Sequence, residues 1–283
     1  MALFSLLIAI LVERLNLLAQ PWQSDRIFGW YQSHFFGEKQ LQSVLMVVIA
    51  IIFPAVCVYV VSWAIAGLFW GALTLLLWVS VAIICFSHRT LRAKFRQYVL
   101  AACRGDTQAC YNYAKALDEA EDIDAISEHD LGMRVGQTVS WLNYRYYGAV
   151  ALYFIIFGPV GAVLYCTVRY YDELNLRKQL AIPLLSTLVF ILDWIPSRIV
   201  AFGYALSGRF NQAFPVWVTH ALAIKTPARD IIVRVAVAAE ELPPHSSAPV
   251  CVQSTLALLQ LSKRNTTLII TVLSLLTIFG FVS

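Results

Sequence analysis

Apolar residues run along this chain in long unbroken blocks instead of the alternating or 3.6-residue spacing of a half-exposed element. Residues 44–63 and 64–86 carry no charged side chain. A hydrocarbon core of about 30 Å takes about 20 helical residues to cross. Each block therefore predicts one crossing, and because the two abut they predict a tight helical hairpin. Residues 146–168 predict a third crossing, interrupted by "FGPVGA" (157–162), residues 180–205 a fourth, and residues 266–282 a short fifth. The start, "MALFSLLIAILVERLNLLAQ", has an apolar run with no basic residue before it and Glu13 and Arg14 after it, unlike a cleaved signal peptide. It reads as retained, either as a short buried half-helix or as a helix lying in the interface.

Between these blocks the period changes to that of amphipathic helices. In 89–102, Leu91, Phe95, Tyr98, Val99 and Ala102 recur at helical intervals while Arg89, Arg92, Lys94 and Arg96 take other faces. In 104–122, Asp106 is placed as an N-cap ahead of a stripe of Cys110, Tyr113, Ala114 and Leu117. "SEHD" (127–130) forms a capping box that opens a helix with Leu131, Val135, Val139 and Leu142 on one face. Further helices are expected over 229–240 and 250–262, separated by a proline-rich loop at 241–249. Asn265, in "NTT", reads as the cap of the last crossing. The prediction is an all-α, polytopic membrane protein of about five crossings. Its segments are 1–43 (short hydrophobic helix and cytoplasmic stretch), 44–86 (hairpin), 87–145 (cytoplasmic helices), 146–205 (two broken membrane helices), 206–264 (cytoplasmic helices) and 265–283 (last crossing).

Composition agrees with the pattern. Of 283 residues 59% are hydrophobic and 13% charged, where a soluble domain carries about 25% charge; mean hydropathy is +0.69. Lysine and arginine concentrate in 87–145 and 206–264, which places both segments and the N-terminus in the cytoplasm. "RYYDELNLRK" (169–178) then forms a basic loop on the outer side, unless the flanking spans are re-entrant and keep it inside. A net charge of +4 with an acidic run at 118–130 speaks against nucleic-acid binding. Cysteines and histidines are scattered without C-x-x-C or H-x-x-x-H spacing, so neither disulfides nor a metal site are expected.

Polar residues are expensive where they interrupt an apolar run, which makes them candidates for function. In "VFILDWIPSRIV" (189–200), Pro196 cannot donate to the Leu192 carbonyl and predicts a break there, as Gly158 and Pro159 do at 158–159. Asp193 and Arg198, five residues apart, do not face one another on an ideal helix, so each calls for a partner elsewhere. With Glu13, Arg14, Asn143, Arg145, Tyr165 and Arg169 they form the candidate polar cluster. It serves as either a ligand site or a brace; for Asn143 and Arg145 stop-transfer polarity is the plainer alternative.

No nucleotide-binding, dinucleotide-binding or nucleophile-elbow motif is present. "LVERL" (11–15), "WLNYRYYGAVALYFIIFGPVGAVLYCTVRYY" (141–171) and "LDWIPSRIVAFGYALSG" (192–208) together resemble the AmpE family, inner-membrane proteins of Gram-negative bacteria linked to β-lactamase induction. The resemblance implies a multi-pass regulatory or sensor protein of the inner membrane, without cofactor. Its implied partners are the lipid bilayer and another membrane or cytoplasmic signalling protein. More distantly the chain looks similar to CobD/CbiB, membrane enzymes of cobalamin assembly. That alternative would imply an amide-forming synthase using nucleotide and magnesium. What carries it is "FGPVGA" with Tyr165, and "IPSR" (195–198); the enzymes' acidic motif is replaced by "LNYRYYG" (142–148).

Overall fold

A computed structural model describes residues 1–15, 22–37, 40–118, 127–240 and 249–280, all of them helix or connecting turn with no strand. Four helical runs are long and apolar enough to cross a membrane: Val44–Ala64, Leu68–Cys103, Glu128–Lys178 and Leu185–Ser207. They cover the first four expected crossings. The fifth falls in the second half of a single helix, Val250–Ile278, which is not among the four because its charge-free part, 265–278, is shorter than a crossing.

The chain divides into two compact units. The first comprises Met1–Arg89, Ala149–Leu192 and Leu273–Ser283. Here α1 (Ala2–Leu15) packs along α4 (Ala72–Phe86), burying Ala2, Ser5, Leu6 and Ala9 while Phe4, Leu7 and Leu11 stay exposed. The first helix is therefore packed on the protein along one face. Helix α3 (Val44–Ala64) joins α4 through an uncharged turn and both lie on α8 (Ala149–Lys178). A core of Tyr31 from α2 (Ser24–Phe35), Val47, Ala50, Ile51, Val168, Tyr171, Leu174 and Leu185 closes this unit.

Stretch 169–178, expected as a loop, is the end of α8. Tyr171 and Leu174 reach into the core, and Glu173 lies 3.6 Å from Arg169 and 4.0 Å from Arg177, one turn away on either side. Such i,i+4 pairs favour helix. The apolar face outweighs the charge count.

The second unit comprises Thr90–Gly148 and Asp193–Val272. Helices α5 (Arg89–Cys103), α6 (Thr107–Leu117), α7 (Glu128–Asn143) and the first half of α12 (Val250–Ile278) share a core of Tyr98, Cys110, Ala114, Leu117, Leu131, Val135, Cys251 and Val252. Burial pushes the Cys110 thiol up to about 11. The side chain of Asp106 accepts from the Ala109 N–H at 2.9 Å, and Ser127 from Asp130 at 3.2 Å, so both caps sit where their helices begin. Tyr98 donates to the Cys251 carbonyl at 2.5 Å and Thr255 to that of Gly132 at 2.8 Å, which ties α12 to its neighbours. Helices α10 (Phe210–Ala221) and α11 (Ala228–Ala239) form an antiparallel pair. The Arg209 N–H donates to the Ala239 carbonyl at 2.7 Å and fixes its open end.

Asn265 is not a cap. It lies inside α12, buried, and donates through Nδ2 to the Val200 carbonyl at 3.3 Å. It fits because its neighbour is Gly203, where an added Cβ would collide with Asn265 Oδ1. Most of the loop expected at 241–249, and the centre of the acidic run, lie outside the described residues.

Candidate functional site

Helix α9 (Leu185–Ser207) carries Asp193, Pro196 and Arg198 and runs through Pro196 as one helix, without the break expected there. Proline removes an N–H and crowds the carbonyl four residues back, so the helix continues only if that carbonyl is satisfied otherwise. The Tyr153 hydroxyl, from α8, donates to the Leu192 carbonyl at 2.9 Å. One residue on, the Tyr144 hydroxyl lies 3.3 Å from the Asp193 carbonyl and 2.7 Å from the Asp193 carboxylate. At Trp194, Arg198 Nη1 donates to the carbonyl at 2.9 Å and Ser197 Oγ at 3.1 Å. Three successive carbonyls thus have side-chain donors: tyrosines of the π turn and α8 serve the first two, and Ser197 and Arg198 of "LDWIPSR" the third.

Tyr144 opens a π-helical turn, Tyr144–Gly148, between α7 and α8. Such turns insert a residue and re-aim the side chains around them, often at functional positions.

Arg198 is 7% exposed and its guanidinium lies over the Trp194 ring, 4.5 Å from the centroid. Its remaining donors reach main-chain carbonyls: Nε to Ala221 at 3.4 Å, Nη2 to Ala223 at 3.1 Å and to Thr226 at 3.4 Å. The fork geometry of arginine suits several acceptors at once. Trp217 Nε1 in turn donates to the Arg198 carbonyl at 2.9 Å. Among the described residues, Arg198 therefore meets the α10–α11 turn, not an acid.

The other candidates distribute as follows. Arg145 is buried on the π turn, 5.7 Å from the Trp141 ring centroid. Arg229 lies 5.9 Å from the same centroid and pairs with Asp118 at 2.7 Å. Asn143 ends α7, half-buried. These belong to the second unit with Asp193 and Arg198. In the first unit, Tyr165 is buried and stacks on Tyr153 with centroids 5.1 Å apart, while Arg169 is 2% exposed and engages Glu173 on its own helix. Glu13 and Arg14 stand at the end of α1, half-buried and exposed respectively. Gly158, at φ 66° and ψ −156°, interrupts α8 before Pro159. Among the described residues no three His, Cys, Asp or Glu groups gather as metal ligands.

The residues that sequence reasoning missed are Tyr144, Tyr153, Trp194 and Trp217. Tyr144 stood in a quoted motif, but its partner lies 49 positions away. Nothing local marks Tyr153.

A family model described as "Regulatory signalling modulator protein AmpE" matches residues 1–283. The chain belongs to the AmpE family. A protein of Shigella flexneri named "Protein AmpE" is 26% identical over 291 residues, covering 99% of each chain. No solved structure matches. AmpE-family membership brings a regulatory signalling role in a membrane protein; neither match describes a catalytic activity, and neither carries the likeness to CobD/CbiB.

Proposed function

We propose that this AmpE-family chain is a non-catalytic, multi-pass component of the bacterial inner membrane, acting in the signalling that controls β-lactamase induction or the response to cell-wall damage. The match of the family model to the whole chain carries this reading. Two physical features support it. The basic residues concentrated in 87–145 and 206–264 favour a cytoplasmic position for those segments, where another signalling protein could read them. In addition, α9 is held at Pro196 by side-chain hydroxyls and a guanidinium, not by main-chain N–H groups alone. Regulation requires an element with two arrangements that a signal favours unequally. A helix that carries a proline and is held there by exchangeable side-chain donors suits that requirement.

The test is deletion of the gene in a strain with inducible β-lactamase. Induction by a β-lactam should change and return with the wild-type gene, while cobinamide conversion stays the same. Unchanged induction across several inducers would contradict the proposal, and lost cobinamide conversion would favour the synthase.

A further inference from the structure

The α10–α11 turn, residues 222–227, has an arrangement that neither the family nor the signalling role requires. Several of its carbonyls are taken by side chains of α9. Arg198 takes those of Ala221, Ala223 and Thr226, and Trp194 Nε1 takes that of Ile224 at 3.2 Å. The Thr226 N–H closes the turn onto the Ala223 carbonyl at 3.2 Å. With these acceptors held by α9, the turn points its apolar side chains out: Leu222 is 79% exposed and Ile224 69%. Lys225 stands beside them, also exposed.

In water such a turn needs no arginine, because solvent satisfies carbonyls without help. In hydrocarbon there is no such help, and irregular backbone is tolerated only where protein satisfies it. The surroundings point the same way. Arg198 and Trp194 lie on α9, a helix apolar enough to cross a membrane, which exposes Ile195 and Ile199 on the face next to that pair. Along α10, Phe210, Phe214 and Trp217 stack at 4.9 and 5.9 Å, rings of the kind that gather at headgroup level.

We propose that residues 222–225 are a lipid-inserting tip: Leu222 and Ile224 enter the boundary between headgroups and acyl chains, and Lys225 meets the phosphates. The occupant is the bilayer, because the exposed apolar surface of the turn continues that of a crossing helix. Arg198 is then the residue that makes an irregular turn compatible with lipid. The inference does not depend on the signalling role.

The test uses the full chain with exposed Cys57 and Cys103 replaced by serine, reconstituted in phosphatidylcholine and phosphatidylglycerol vesicles. An environment-sensitive fluorophore is attached at Ile224→Cys, at Leu222→Cys, or at Thr107→Cys on the exposed start of α6 as the aqueous reference. Emission from 224 and 222 should be blue-shifted relative to 107, and quenched several-fold more by a lipid nitroxide near the headgroup than by iodide, with the order reversed at 107. Iodide quenching at 224 and 222 equal to that at 107 would overturn the proposal. So would blue-shifted emission that the nitroxide lipid leaves untouched, since protein, a second copy or a partner, would then cover the tip.

Discussion

At Pro159, α8 leaves helical geometry, with Gly158 at φ 66° and ψ −156°; at Pro196, α9 does not. Both prolines follow apolar runs, and both disfavour helical geometry in the residue before them. The preceding residue separates the two. Gly158 can adopt a positive φ in a region that is essentially glycine-only, so α8 releases the conflict by breaking. Ile195 is β-branched and has no such route. The conflict in α9 is met instead by a donor aimed at the carbonyl that proline leaves open, Tyr153 for Leu192, with Tyr144 adding a second donor at Asp193. Pro54 in α3 is a third case. It follows Phe53, the helix continues, and the Tyr31 hydroxyl donates to the carbonyl of Ala50, four residues back, at 3.3 Å. A proline in a long apolar helix is thus tolerated in two ways, and the residue before it chooses.

The comparison can be broken at several points. Arg198→Ala should have the largest effect. It removes five donor contacts in and beyond the proline turn, each charge-assisted bond worth about 1.5–3 kcal/mol, so stability in detergent should fall by on the order of 4 kcal/mol. A melting temperature equal to wild type would mean the turn is held by something else. Gly158→Ala comes next. Strain at that φ/ψ, with the Trp78 ring 3.1 Å from the new Cβ, should cost about 3 kcal/mol in chemical denaturation. A neutral result would deny that α8 depends on the glycine.

Tyr144→Phe strips a buried carboxylate of one donor and should cost about 2 kcal/mol by the same assay. Tyr153→Phe removes a neutral bond to one carbonyl, worth about 1 kcal/mol, and should give the smallest loss.

Much of the fold was legible in the sequence because the signals were local. Charge-free runs marked α3 and α4, and Asp106 and Ser127 marked helix starts that their caps occupy. Other expectations failed where distant residues decided. The end of α8 was expected as a loop because its charges are conspicuous, yet Tyr171 and Leu174 bury one face against residues more than a hundred positions earlier. Asn265 sits mid-helix because Gly203 on another helix leaves room for it. At the candidate site, the unusual residues were visible but their purpose was not. Asp193 and Arg198 invited a search for opposite charges, whereas Arg198 is matched by carbonyls of a turn more than twenty residues away. Main-chain acceptors carry no signature in sequence.

Whether α9 survives Pro196 because a tyrosine replaces the missing donor can be read from one double-mutant cycle. In the wild-type background, Tyr153→Phe should cost about 1 kcal/mol of stability. In Pro196→Ala, where residue 196 again offers an N–H to the Leu192 carbonyl, the same substitution should cost almost nothing. An equal loss in both backgrounds would contradict the account.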